Sequence, residues 1–248
     1  RRRRRLHGAC ASTLGGMSKL QRIHPRSTHP HIACAALLIV PSVGLAQSLG
    51  PPDFVGLPGR PSGLTLADFD GDGRVDAAVA LGSMDTLALV LDLDGAAVLS
   101  LIPVAGTKPV AVAAGDLDDD GAIDLVSADQ DGDSISILLG AGDGTFAAPL
   151  SVPAAGAPRE VALADLDLDG TLDLIAGLGA TERVRIWRGQ GDGSFVFAAG
   201  VPVGGVMRDL RVATLDGDPL PEVIVAAEWG GTRILRNQGS FAFTSTFG

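Results

Sequence analysis

A short acidic loop recurs four times along this chain at near-constant spacing, and the period limits the fold more than any other feature. The loops open at Asp68, Asp116, Asp165 and Thr214, so successive starts lie 48, 49 and 49 positions apart. A fixed period of this length marks a repeat architecture, in which each unit is one supersecondary element that its neighbours must cover.

The segments between the loops read alike. In the second unit, Val110 to Gly115, Leu125 to Ala128, Ile135 to Leu139 and Phe146 to Val152 are apolar or small, and turn residues such as Asp131-Gly132 and Gly142-Asp143-Gly144 separate them. The third unit gives Val161 to Ala164, Leu174 to Ala176, Val184 to Trp187 and Phe195 to Val201. The fourth gives Leu210 to Ala213, Val223 to Ala227, Arg233 to Leu235 and Phe241 to Thr244. Short apolar runs bounded by glycine and aspartate predict buried strands, four per unit. The fold class is therefore all-β, a β-propeller of four-stranded blades at about 60–106, 107–157, 158–206 and 207–248. The first unit shows three clear strands but has Asp92-Leu93-Asp94-Gly95 where a Gly-Asp-Gly-Phe turn belongs.

Counted from its first acid, each of the first three loops carries carboxylates at positions 1, 3, 5 and 9. These are Asp68, Asp70, Asp72 and Asp76; Asp116, Asp118, Asp120 and Asp124; and Asp165, Asp167, Asp169 and Asp173. Position 6 is glycine (Gly73, Gly121, Gly170), which predicts a backbone with positive φ. Position 7 (Arg74, Ala122, Thr171) offers a backbone carbonyl, and position 8 (Val75, Ile123, Leu172) an apolar plug. Alternating carboxylates aim hard oxygens into one concavity, a ligand set for calcium with Kd on the order of 10⁻⁴ to 10⁻³ M. An EF-hand is excluded, because position 12 is Val79, Ser127 or Ala176 in place of glutamate and strands flank the loop. The fourth loop is degenerate, with Asp216, Asp218 and Glu222 as acids but Thr214 first and Pro219 in place of glycine. Proline cannot take positive φ.

Residues 1–46 differ in character. They hold eight Lys or Arg and no acid, then an apolar stretch from Ile32 broken by Pro41 and ending Gly44-Leu45-Ala46. This pattern predicts a secretory signal peptide cleaved after Ala46, with Met17 as the natural start, and hence a secreted, cell-surface or periplasmic chain with no membrane span once processed. Of the 19 basic and 29 acidic residues, eight basic ones go with that segment, leaving 11 against 29 and a net charge of −18. Such a balance argues against nucleic acid as a partner. All four histidines and both cysteines also lie before residue 47. The remainder can build neither a Ser-His-Asp triad, a Cys-His pair nor a usual zinc site, so no enzyme is expected.

The motif Asp-x-Asp-x-Asp-Gly-x-x-Asp, followed by Gly-Asp-Gly-Thr-Phe-Ala-Ala-Pro at 142–149 or Gly-Asp-Gly-Ser-Phe at 191–195, resembles the FG-GAP/VCBS repeat family over residues 51–248. The resemblance implies a calcium-bound propeller with the ion in the loop joining the first two strands of each blade. It also implies binding of an extracellular protein or glycan, as in adhesion, on the opposite face. Trp229 beside Glu228 falls in a turn of that face and is the candidate ligand contact. Trp187 reads as core, and Arg185 and Arg188, aligned with Arg233 and Arg236, read as a repeated solvent face. Propellers of this family usually have about seven blades, so four visible blades read as a fragment of a larger ring, with an unusually small propeller or an open arc that closes by association as the alternatives. Two alternatives are the propeller domain of a secreted carbohydrate-active enzyme such as a polysaccharide lyase, using Lys108 or an arginine with a carboxylate, and a structural spacer.

Overall fold

The computed structural model describes residues 55–93 and 97–247. The signal-peptide expectation, residues 1–46, lies outside these residues. The described chain is all-β: sixteen strands in four antiparallel sheets, each a simple meander of four consecutive strands. The first sheet holds β1 (Gly63–Ala67), β2 (Asp76–Leu81), β3 (Thr86–Leu91) and β4 (Val98–Pro103). The second holds β5 (Pro109–Gly115), β6 (Asp124–Asp129), β7 (Ser134–Leu138) and β8 (Leu150–Pro153). The third holds β9 (Pro158–Ala164), β10 (Asp173–Leu178), β11 (Arg183–Gly189) and β12 (Phe195–Pro202). The fourth holds β13 (Val206–Ala213), β14 (Glu222–Glu228), β15 (Gly231–Asn237) and β16 (Phe243–Phe247).

Strand character follows position. β2, β6 and β10 are buried along their whole length: each has a paired strand on both sides, β6 and β10 have a sheet packed on each face, and the outer face of β2 is covered by Leu57. β4 and β8 are largely exposed edges. Both these strands and β12 end in proline (Pro103, Pro153, Pro202), which offers no N–H to a stray strand.

Successive sheets stack face to face in chain order, and their first strands are neighbours. Three apolar cores lie in the three junctions. Phe69, Leu87 and Leu89 of the first sheet meet Val112, Leu125 and Leu138 of the second. Ile135 and Ile137 meet Leu174, Leu178 and Trp187, which places Trp187 in the core as its alignment indicated. Leu166, Ile175 and Ile186 meet Leu210, Val223 and Leu235. The stack does not close into a ring. Leu215, which repeats the buried Phe69, Leu117 and Leu166, is accordingly 47% exposed.

Polar ties join the first unit to the second and the second to the third. At the tips of the β2–β3 and β6–β7 hairpins, Asp85 and Asp133 take positive φ. Their carboxylates accept hydrogen bonds from the backbone N–H of Lys108 (2.7 Å) and Ala157 (2.6 Å), where the chain enters the following sheet. Buried Asp129 accepts from Ser127 (2.8 Å) and Ser136 (2.5 Å), and the Ser136 hydroxyl accepts from Ala105 N–H at 2.8 Å.

Two expected strands are displaced. Phe146 forms only a bridge to Gly140, and β8 begins at Leu150. The Phe146 ring is drawn into the first junction, 6.1 Å from Phe69. Phe241 lies in a turn with φ 59°, so β16 starts two residues later than expected.

Candidate metal centres

Each acidic loop joins the first two strands of its sheet, and the ninth-position acid opens the second strand. That acid is buried in all four loops (Asp76, Asp124, Asp173, Glu222). In the first three loops both of its oxygens clamp backbone. Asp76 accepts from Phe69 and Asp92 N–H (both 3.0 Å), Asp124 from Leu117 and Gly140 (both 2.7 Å), and Asp173 from Leu166 (2.9 Å) and Gly189 (3.0 Å). The acid thus ties the loop to the end of the third strand. Burial pushes Asp124 and Asp173 up to about 6, against those backbone bonds and aided by neighbouring acids.

The first-position acid folds the loop over itself. Asp68 accepts from Gly71 and Gly73 (both 2.8 Å), Asp116 from Gly121 (3.0 Å), and Asp165 from Asp169 (3.1 Å) and Gly170 (2.9 Å). The predicted positive φ at position 6 is present: 84°, 90° and 97° at Gly73, Gly121 and Gly170. Position 4 takes the same left-handed conformation, which the residue pattern did not signal because Asp119 (φ 59°) and Leu168 (φ 62°) stand there beside Gly71 and Gly217.

Oxygens of positions 1, 3 and 9 converge: Asp68, Asp70, Asp76; Asp116, Asp118, Asp124; and Asp165, Asp167, Asp173 each have ligand atoms within 4.8 Å of one another. Position 5 is not in these trios. Asp72, Asp120 and Asp169 instead accept from the backbone N–H of position 7, that is Arg74 (2.8 Å), Ala122 (2.7 Å) and Thr171 (2.9 Å). The fourth loop gathers a different set, Asp216, Asp218 and Glu222, at positions 3, 5 and 9. Crowding and burial raise Asp70, Asp118 and Asp167 above the usual carboxylate range, with burial the larger cause. Asp169 is held down to about 2, first by the Thr171 hydroxyl and then by Arg188.

The donors fit a hard divalent cation. They are all oxygen, three carboxylates converge in each loop, and buried Asp116 Oδ1, Asp167 Oδ1 and Glu222 Oε1 have no hydrogen-bond partner. A buried carboxylate oxygen left unsatisfied is costly unless something positive takes it up.

Turns of the next sheet cap these loops. Gly144 N–H donates to Phe69 O (3.0 Å) and Gly193 N–H to Leu117 O (3.1 Å). The turn of the fourth sheet lacks that glycine, and the buried Asn237 side chain donates to Leu166 O (2.7 Å) in its place.

This loop-and-turn pattern agrees with one family. Residues 116–176 match the FG-GAP-like repeat. That span runs from the second acidic loop into β10 of the third sheet. No curated protein matches the chain. Among solved structures, BBS1N in complex with ARL6DN, soaked with lead, is similar at TM-score 0.53 and 15% identity over 78% of this chain. An Agrocybe aegerita lectin recognising non-reducing terminal N-acetylglucosamine is similar at 0.49 and 17% over 74% of this chain. The V. cholerae biofilm matrix protein Bap1 is similar at 0.40 and 19% over 75%. This chain spans 57%, 52% and 38% of those three. The first likeness supports the propeller fold of the FG-GAP-like repeats.

The candidate ligand residues lie on the opposite side of the sheets, at the β14–β15 hairpin. Trp229 is 93% exposed with φ 67°. Glu228 is paired with Arg208. Lys108 pairs with Asp131 at 3.1 Å. Arg188 and Arg236 are not a plain solvent face. Arg188 reaches Asp167 (3.2 Å) and Asp169 (2.6 Å), and Arg236 reaches Asp216 (2.8 Å). They stand 23 and 22 residues after the first positions of their own loops, and it is the pairing of the second and third strands that carries them back to those loops. No helix among the described residues is long and apolar enough to cross a membrane.

Proposed function

We propose that this chain is a non-catalytic, calcium-stabilised propeller module that works outside the cytoplasm and binds protein or glycan on the side opposite its acidic loops. The observation that carries the calcium reading is the convergence of three carboxylates per loop with buried oxygens lacking any donor. Calcium accepts irregular oxygen shells of six to eight ligands, so carboxylates and water from the open side suffice. In this reading the metal has no chemical step to perform. It neutralises the crowded acids and fixes the loops on which the next sheet's turn is seated.

Binding is assigned to the opposite side because the hairpin there carries a bare tryptophan, a large amphipathic surface suited to the apolar face of a sugar ring or to a protein contact. Thermal melts of the chain with millimolar calcium and after metal removal test the first half. Calcium should raise the melting temperature, and Asp116→Ala with Asp165→Ala should abolish the rise. A cooperative melt indifferent to calcium would reduce the loops to turns. Glycan-array binding by the wild type that is lost in Trp229→Ala with an unchanged melt tests the second half. Signal retained in that variant would move the binding surface elsewhere.

A further inference from the structure

The position that follows the core residue of each third strand is Leu91, Leu139, Arg188 and Arg236 in the four sheets. The two leucines have a packing role. A Cβ built on Gly144 would meet Leu91 at 2.9 Å, and one built on Gly193 would meet Leu139 at 2.8 Å, so each leucine seats the next sheet's glycine turn. At the third junction the corresponding turn, Gly239 to Phe241, is two residues shorter, and a Cβ built on Gly239 would meet only Leu220. There Arg188 faces its own acidic loop and touches the position-3 carboxylate of the trio, Asp167. Arg236 does the same to Asp216. A groove of about 430 Å³, lined by Arg188, Asp167, Gln190, Phe197, Ser240 and Phe241, opens beside this shortened turn.

We infer that Arg188 and Arg236 are displaceable internal counter-cations of the third and fourth loops. Each guanidinium supplies positive charge to a carboxylate that the cation must also use. Loading a cation turns it out, and for Arg188 the adjoining groove provides the room. The first two loops carry leucine at this position and hold their cation without that competition. The chain therefore has two classes of site: two tight loops that keep the scaffold rigid, and two weaker ones that fill as ambient calcium rises. Arg74 differs from Arg188 and Arg236 in that its ion pairs with Asp72 and Asp92 go to acids outside the first trio.

This inference rests on the calcium reading, and calorimetric titration of the whole chain separates the two. Wild type should show two affinity classes. Arg188→Leu should tighten one weak site about fivefold, a factor in keeping with the loss of one exposed competing ion pair. Arg188→Lys should sit between them. Melts supply the second readout: Arg188→Leu should melt lower than wild type without metal and equal to it in saturating calcium, a crossing that a merely structural arginine would not give. Unchanged affinity in Arg188→Leu, or a melting deficit that persists in calcium, overturns the counter-cation role and leaves the calcium sites standing. Absence of any calcium heat in wild type overturns both.

Discussion

Stripping the metal should invert the pH dependence of stability. Asp124 and Asp173 are fully buried and, without metal, pushed from 3.8 to about 6. In the unfolded chain both return to the ordinary value. Between pH 4 and 6 the folded state therefore binds more protons than the unfolded state, and stability falls as pH rises through that window. A displacement of two pH units corresponds to about 3 kcal/mol for each residue. Asp129 and Glu160, raised chiefly by burial, act in the same direction, whereas Asp169, held at about 2, acts in the opposite one. The sum is a large share of the roughly 5–15 kcal/mol that holds a domain together. A protein of this size loses about 2–4 °C per kcal/mol, so the metal-free melting temperature should drop on the order of 10 °C from pH 5 to pH 7. If the loops take up calcium as proposed, the same carboxylates should be held charged in saturating calcium, their folded values should fall below the unfolded ones, and stability should instead be lost as pH drops below about 4. Differential scanning calorimetry of metal-stripped and calcium-loaded protein across pH 4 to 7.5 reads both curves. A metal-free melting temperature that climbs from pH 5 to pH 7 would refute the reasoning, because it would mean that backbone hydrogen bonds to Asp124 and Asp173 outweigh their desolvation.

Two further changes probe the loops without touching a ligand. Asn237→Ala removes the buried amide that donates to Leu166 O and Pro221 O, and should cost about 2–3 kcal/mol in a denaturant melt by leaving a buried carbonyl unpaired; a loss under about 0.5 kcal/mol would show that the third and fourth sheets need no such tie. Leu168→Gly relieves a half-exposed side chain held at φ 62° and should raise stability by about 1 kcal/mol at unchanged calcium affinity, whereas destabilisation would mean that packing of the leucine outweighs its backbone strain.

The period made the sheets legible because the cause of the period is physical. A four-stranded sheet with two apolar faces needs a neighbour on each, and the same apolar positions must return every 48 or 49 residues to provide it. Loop positions 1, 3 and 9 were legible for a similar reason, since alternating carboxylates in a loop closed by a glycine at position 6 are forced to converge within one tight turn. Position 5 lies outside those trios: Asp72, Asp120 and Asp169 share the alternating spacing, yet one oxygen of each turns back to cap position 7, a choice made by local backbone geometry that spacing cannot express. Asp129 was hidden as well. It ends a strand of Leu-Val-Ser-Ala and looks like a turn residue, but Ser127 and Ser136 come together beneath it only once β6 and β7 pair.

The departures from the repeat carry more information than the repeat. Loss of two residues from the turn in the fourth unit frees position 188 from packing, and an arginine there can then answer to the acid of its own loop. The same loss leaves Leu166 O needing a donor, and Asn237 supplies it from the next sheet. One deletion thus has two compensations on opposite sides of a junction, one for charge and one for hydrogen bonding. Both lie beside the third acidic loop, where a groove opens the stack to solvent. If Asn237→Ala loosened that junction without changing calcium affinity while Arg188→Leu changed affinity without loosening it, the two compensations would be independent. The third loop could then be tuned for its cation at no cost to the packing of the sheets that carry it.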